Sequence, residues 1–255
     1  MPKRPPAHRT PAEGDRETLF GLRAVLAIFA RRADDMLRLA YSAEVRAQTG
    51  ELVKWARARG IPCDERTDVD LARIADSPMH EGLCVEVRAR HWTPPAELAD
   101  ALMHERGIAV ALDRVRNPYN VGSILRSAAF FGIDAAIVGA SAPHSALAPT
   151  AVRVAEGGAE QLRLARTTDL ADTLTRLRAR GVRVVGGESS APTNYAGFAF
   201  ARPTVLVLGH EREGLSERVR SQCDARVAIR GRGAVESLNV SVAAAVLMAE
   251  CVRAG

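Results

Sequence analysis

Thr204-Val205-Leu206-Val207-Leu208-Gly209-His210-Glu211-Arg212-Glu213-Gly214-Leu215 changes character in its middle. Five strand-forming residues run together without polar alternation, which predicts a strand buried on both faces. Two glycines then frame a run of charges, and Gly209 lets a ligand approach the backbone at the strand's end. The same apolar signal recurs at 108–112, 135–138, 182–185 and, briefly, 227–229. Helical spacing fills the intervals: 121–131, 168–180 closed by Gly181, and an alanine-rich stretch at 239–252. Apolar strands alternating with helices predict an α/β fold with a parallel sheet covered on both faces. Ligands collect at the carboxyl ends of such strands, so the loops there carry the functional question.

Upstream lies a smaller α/β pattern over residues 16–90. Leu22, Val25, Leu26 and Phe29 recur at helical spacing, and residues 45–58 form an amphipathic helix ended by Gly60, with Gly50 inside it. Strands are predicted at 37–41 and 82–87, a loop at Pro62 and Asp64, and a short helical piece at 71–74. Pro94-Pro95 removes two donors and favours extended backbone, so residues 91–104 read as an interdomain linker before a larger domain at 105–255. Residues 1–15, with four prolines and scattered charges including Lys3, Arg4 and Arg9, read as a disordered tail.

Of 255 residues, 47% are hydrophobic, enough for a sizeable core, and the net charge of +5 leans towards an anionic partner such as nucleic acid. The four cysteines are scattered with no CxxC or Cys/His cluster, which predicts neither a zinc site nor a disulfide framework and fits reduced thiols in a cytoplasm. No signal peptide opens the chain, and charges interrupt every apolar run before membrane-spanning length.

Three loops gather chemistry. The first, 113–127, places Asn120 at a helix N-cap position, Gly122 and Ser123 in the first turn, and Arg126 six residues after Asn120. Arg126 reads either as a bidentate phosphate grip or as an ordinary surface ion pair. The second is the Gly209–Leu215 loop. His210-Glu211 lacks a second histidine four residues on, so a zinc helix is excluded, and Glu211 reads alternatively as a cap for a helix near Gly214. The third is Ile229-Arg230-Gly231-Arg232-Gly233-Ala234-Val235-Glu236-Ser237-Leu238-Asn239-Val240-Ser241. It carries half a dinucleotide fingerprint without the third glycine, and Ser237 and Asn239 are good helix caps.

Together these loops resemble the three signature motifs of the SpoU (TrmH-like) class of the SPOUT methyltransferase superfamily. Asn120-x-Gly122-x-x-x-Arg126-Ser127-Ala128 is similar to motif one, Leu208-Gly209-His210-Glu211-x-x-Gly214-Leu215 to motif two, and Ser237-Leu238-Asn239-Val240-Ser241-Val242-Ala243 to motif three. Residues 21–87, with His80-Glu81-Gly82, resemble the small L30e-like substrate-binding domain of many such enzymes. The resemblance implies an α/β trefoil-knot catalytic domain, S-adenosyl-L-methionine as cofactor with contacts at Gly209, Ile229 and Leu238, and a homodimer with its active site at the subunit interface. It implies methylation of a ribose 2′-hydroxyl of RNA, with ribosomal RNA favoured over transfer RNA. Arg126 is then the residue that orients or deprotonates the hydroxyl. Asn120 positions Arg126 or the ribose, and Glu211, Ser237 and Asn239 organise the pocket.

The chain leaves the family pattern at Arg230, where proline usually follows the isoleucine, and at Arg232 in the same loop; Glu81 stands where glutamine is commoner. Two readings of the arginines remain: a cofactor loop of altered rigidity, or guanidinium groups that face RNA phosphates. The functional alternative is a non-catalytic RNA-binding protein with a vestigial knot.

Overall fold

The computed structural model describes residues 16–139 and 147–254, and the chain divides into two units, Met1–His91 and Trp92–Gly255. The tail expected over residues 1–15 lies outside the described residues.

In the first unit the elements run β1 (Arg16–Phe20), α1 (Leu22–Arg32), β2 (Met36–Tyr41), α2 (Arg46–Ala58), β3 (Cys63–Glu65), α3 (Asp68–Ala75) and β4 (Leu83–Arg88). The sheet order is β1-β4-β2-β3, with β4 antiparallel to both neighbours and β3 parallel to β2. Alternation along the strands splits the core in two. Phe20, Ala40 and Cys84 pack with Leu71 and Ala75 of α3. Ala24, Val25 and Ile28 of α1 and Leu52, Val53 and Ala56 of α2 are buried as well, and both helices contact the sheet. α2 runs straight through Gly50, beside which there is only open space. Two strands escape periodicity. β3 is only three residues long, in the stretch expected to be a loop, and β1 opens on the polar residues Arg16, Glu17 and Thr18 of a sheet edge.

The second unit begins inside the stretch expected to be a linker. Residues 91–104 are largely helix: α4 (Pro95–Glu105) starts with Pro94 as its N-cap residue and Pro95 in its first turn. A proline there gives up an N–H that has no helical partner anyway, so the pair begins a helix instead of spanning a gap. Leu98, Ala99 and Leu102 enter the main core. Truncating either leucine to alanine would cost about 2–5 kcal/mol.

The elements continue as β5 (Ile108–Leu112), α5 (Pro118–Phe130), β6 (Ala135–Gly139), α6 (Pro149–Val154), β7 (Arg163–Thr167), α7 (Leu170–Ala179), β8 (Arg183–Gly187), β9 (Thr193–Asn194), β10 (Thr204–Leu208), α8 (Glu217–Arg220), β11 (Ala225–Ala228) and α9 (Val240–Arg253). The sheet has seven strands in the order β7-β6-β5-β10-β8-β11-β9, and every pairing is parallel. Ala109, Ala111, Ile137, Val184, Val205 and Val207 face α4 and α7. α9 contacts β8 and β10 and packs on α5. Because β5, β10, β8 and β11 are consecutive neighbours and parallel, the loops after them emerge side by side at one edge.

Candidate active site

The loop after β5 opens α5, but its cap is not the expected one. Asn117 is the N-cap, its side chain accepting from the Tyr119 amide at 3.0 Å, and Pro118 takes the first turn. Asn120 therefore sits inside the helix, where its buried amide turns to the site instead of the backbone. Gly122 serves helix packing: a Cβ there would lie 2.6 Å from the Ala151 carbonyl oxygen and from Cβ of Val154, so α5 and α6 meet through it.

Asn120 links the three loops. Its Nδ2 donates to Oε1 of Glu211 at 2.6 Å, and its Oδ1 accepts from Nδ2 of Asn239 at 3.2 Å. Asn239 is the N-cap of α9, and its Oδ1 accepts from the Ser241 amide at 2.8 Å and the Ser241 hydroxyl at 2.7 Å. A backbone N–H can only donate, so Ser241 fixes which end of Asn239 is oxygen. That orientation makes Asn239 donate to Asn120, and Asn120 in turn must donate to an acceptor. Glu211 supplies it. The carboxylate caps no helix: α8 begins at Glu217, and the amide of Ser216 before it donates instead to Oδ2 of Asp113 at 2.6 Å.

The turn after β10 closes on itself. His210 and Gly214 exchange backbone hydrogen bonds at 3.0 and 2.9 Å, and a Cβ on Gly209 would lie 2.3 and 2.4 Å from the Gly214 carbonyl carbon and oxygen. Only glycine fits at 209. Nδ1 of His210 faces the amides of Arg212 and Glu213 at 3.2 and 3.4 Å, which leaves the proton of the neutral ring on Nε2, 3.9 Å from Oε2 of Glu211. Arg114, in the left-handed region at φ 61°, reaches across to Glu213 and to the Gly214 carbonyl, locking the first loop to the second.

A cleft of about 390 Å³ opens beside this turn. Gly187 and Glu188 line one side, Gly209 and Glu211 another, and Ile229, Ser237 and Leu238 the third. Its size is that of a small-molecule site, and its lining mixes glycine and aliphatic residues with charged and hydroxyl side chains, Glu188, Glu211, Glu236 and Ser237 among them. Glu188, its side chain 6% exposed, accepts from Arg220 at 2.6 and 3.0 Å and from Arg226 at 2.8 Å, so its charge is balanced beside the cleft. Ser237 is exposed and lines the cleft without capping α9.

Arg126 stands apart. It does not line the cleft; Nη1 pairs with Oε1 of Glu156 at 2.8 Å, and its side chain is 55% exposed. Glu156 and Gly157 turn through positive φ, and Gly158 packs so closely on Arg126 that a Cβ there would lie 3.0 Å from its Cα. Burial pushes the Cys84 and Cys251 thiols up to about 12 and Cys223 up to about 11, which keeps them from acting as thiolates near neutral pH. Among the described residues no group of three or more His, Cys, Asp or Glu is placed to hold a metal ion, and no helix is long and apolar enough to cross a membrane.

Residues 107–249 match the model of the SpoU rRNA Methylase family. The chain belongs to that family. It is thereby an RNA methyltransferase by descent, and residues 18–93 match a second model, RNA 2'-O ribose methyltransferase substrate binding. An uncharacterized tRNA/rRNA methyltransferase of Mycobacterium ulcerans (strain Agy99) is 36% identical over 96% of this chain and 80% of its own length. The AdoMet-bound rRNA methyltransferase from Sinorhizobium meliloti superposes with a TM-score of 0.77 at 25% identity, over 94% of this chain and 88% of that one. The SpoU methyltransferase AviRb from Streptomyces viridochromogenes, solved with AdoMet, gives 0.75 at 25% identity, over 93% and 90%. The SpoU fold expected from the three loops is thus present, with its α/β architecture and parallel seven-stranded sheet.

Asp113, Arg114, Glu156 and Glu188 were not singled out from sequence. Asp113 and Glu188 carry a signal, since one is an acid directly after an apolar strand and the other follows such a run after two glycines. Arg114 and Glu156 carried none, because their roles depend on partners 99 and 30 residues away.

Proposed function

We propose that this protein transfers a methyl group from S-adenosyl-L-methionine to a ribose 2′-hydroxyl of RNA, ribosomal RNA before transfer RNA, as a homodimer in the cytoplasm. The observation that carries the reading is the relay Ser241–Asn239–Asn120–Glu211, which ties all three motif loops together and reaches the cleft through Glu211.

The residues present fit the cofactor. Gly209 lets the turn close tightly at the cleft's edge, Ile229 and Leu238 offer apolar surface to a flat base, and Leu238 is half exposed and ready to be covered. The bound sulfonium supplies a methyl group that needs no further activation. What remains for the chain is to hold the hydroxyl in line and to stabilise the charge that develops on its oxygen. Arg126 takes that role. A guanidinium has no lone pair available to take a proton, so it serves as a donor to the oxygen, while the hydroxyl proton passes to water as the O–C bond forms and the C–S bond breaks. Since it stands outside this chain's cleft, the reading places it at the cleft of a second copy. Asn120, Glu211 and Asn239 hold the pocket's shape, and Ser237 offers its hydroxyl to whatever enters. The first unit, with its arginines, selects the RNA.

The test is chemical. A 2′-O-methylated ribose cannot attack its own phosphodiester, so the modified linkage resists alkali. RNA incubated with the protein and S-adenosyl-L-methionine is expected to show one gap in its alkaline ladder. Methyl incorporation without a gap places the methyl on a base instead, and no incorporation into any RNA supports the non-catalytic alternative.

A further inference from the structure

The loop between β11 and α9 is tethered only near its ends. Residues 231–239 are all exposed, and residues 231–238 make no hydrogen bond among the described residues. At the far end Asn239 is held by Asn120 and Ser241. At the near end Nη2 of Arg230 donates to the carbonyl oxygens of Ala191 at 2.6 Å and Pro192 at 3.2 Å.

We propose that Arg230 is a positioning residue for cofactor binding: its guanidinium clasps the loop that carries Ile229 and Leu238 to the segment after β8, and so sets the width of the cleft between them. The inference rests on the reading of the cleft as the S-adenosyl-L-methionine site.

The two walls differ in how they are held: residues 189–192 are fastened at both ends, by β8 and by the pairing of β9 with β11, whereas the facing loop relies on Arg230 at its near end. The segment after β8 is fixed at its start, where the Glu188 amide donates to Val227 at 3.0 Å and the Glu188 carboxylate is held by Arg220 and Arg226. Ser189 and Ser190 line the cleft, and the next two residues are the ones Arg230 grips. Without the clasp, the opposite wall would be a free run from Ile229 to Asn239, and a ligand would have to order it on binding. Holding such a loop in advance lowers the cost of binding without adding a ligand contact. A proline at this point would restrict the backbone through its ring; arginine reaches a comparable end through its side chain.

The same geometry separates Arg230 from Arg232. Arg232 is exposed and makes no hydrogen bond or ion pair among the described residues, so it remains available to phosphate. Both carbonyls are served by one nitrogen of Arg230, so a lysine ammonium can replace it.

The experiment is calorimetry with S-adenosyl-L-methionine on the full chain, alongside RNA binding at two salt concentrations. Absence of binding by the wild-type protein overturns the reading of the cleft itself. If the wild type binds, Arg230→Ala is expected to raise Kd for the cofactor roughly tenfold, the effect of losing one charged hydrogen-bonding group. KM for the cofactor should rise with it while kcat stays unchanged. Arg230→Lys should retain affinity within about threefold, and Arg232→Ala should leave cofactor affinity unaltered. Arg230→Met keeps the aliphatic stem and removes the donors, and reads the same quantity if the alanine variant folds poorly. The proposal is overturned if the wild type and Arg230→Met bind the cofactor equally. It is also overturned if the substitution instead lowers RNA affinity and the salt slope, which would make Arg230 a phosphate contact.

Discussion

Asn120 and Arg126 lie on one helix, six residues apart, and are held in opposite ways. Asn120 is buried, with both ends of its amide engaged and their polarity dictated by a single backbone N–H. Arg126 is half exposed and touches one carboxylate at the surface. The first is built into the structure of this chain; the second is loosely held and free to change partner. In an enzyme of the proposed kind, that is the difference between a residue that shapes a pocket and one that meets a substrate arriving from outside.

Substitutions break this comparison in order of size. Arg126→Ala should cost the most activity, about 100- to 1000-fold in the rate of methyl transfer, if it stabilises the developing alkoxide. Its melting temperature should hardly move, because an exposed ion pair contributes little. Full activity on the true RNA would end its assignment. Asn120→Ala should do the reverse in proportion. It leaves Oε1 of Glu211 and Nδ2 of Asn239 without their partner, so unfolding in urea should show a loss of about 1–3 kcal/mol, with weaker cofactor binding. A stability equal to wild type would mean the relay is incidental. Gly50→Ala provides the baseline far from both residues. The position faces open space within α2, so alanine should stabilise by about 0.5–1 kcal/mol in the same urea assay and leave methyl transfer unchanged.

Much of this was legible beforehand, for identifiable reasons. Strand β10 appears where the apolar run begins and ends, and α9 starts within a residue of its expected position. Long periodic segments report burial directly. Errors gathered where one local signal serves two structures. Pro94-Pro95 reads equally as a break or as the start of α4, and only Leu98 and Leu102 entering the core decide between them. Asn120 looked like a cap because its residue type suits one, but the cap is Asn117, and burial gives Asn120 another use. Arg230 drew notice as a departure from a pattern, and its partners lie 38 and 39 residues away.

The division follows from what each level of description contains. Residue order alone determined the α/β class, the parallel sheet and the three loops at strand ends, because hydrophobic period and turn chemistry are local properties of the chain. Tertiary structure alone decided that Asn120, Glu211 and Asn239 form one relay, that Arg126 pairs with Glu156 outside the cleft, and that Arg230 turns to carbonyls. Each of these contacts depends on elements that are neighbours in space but distant in the chain, strands for the relay and the clasp and helices for Arg126, and no local pattern records that adjacency.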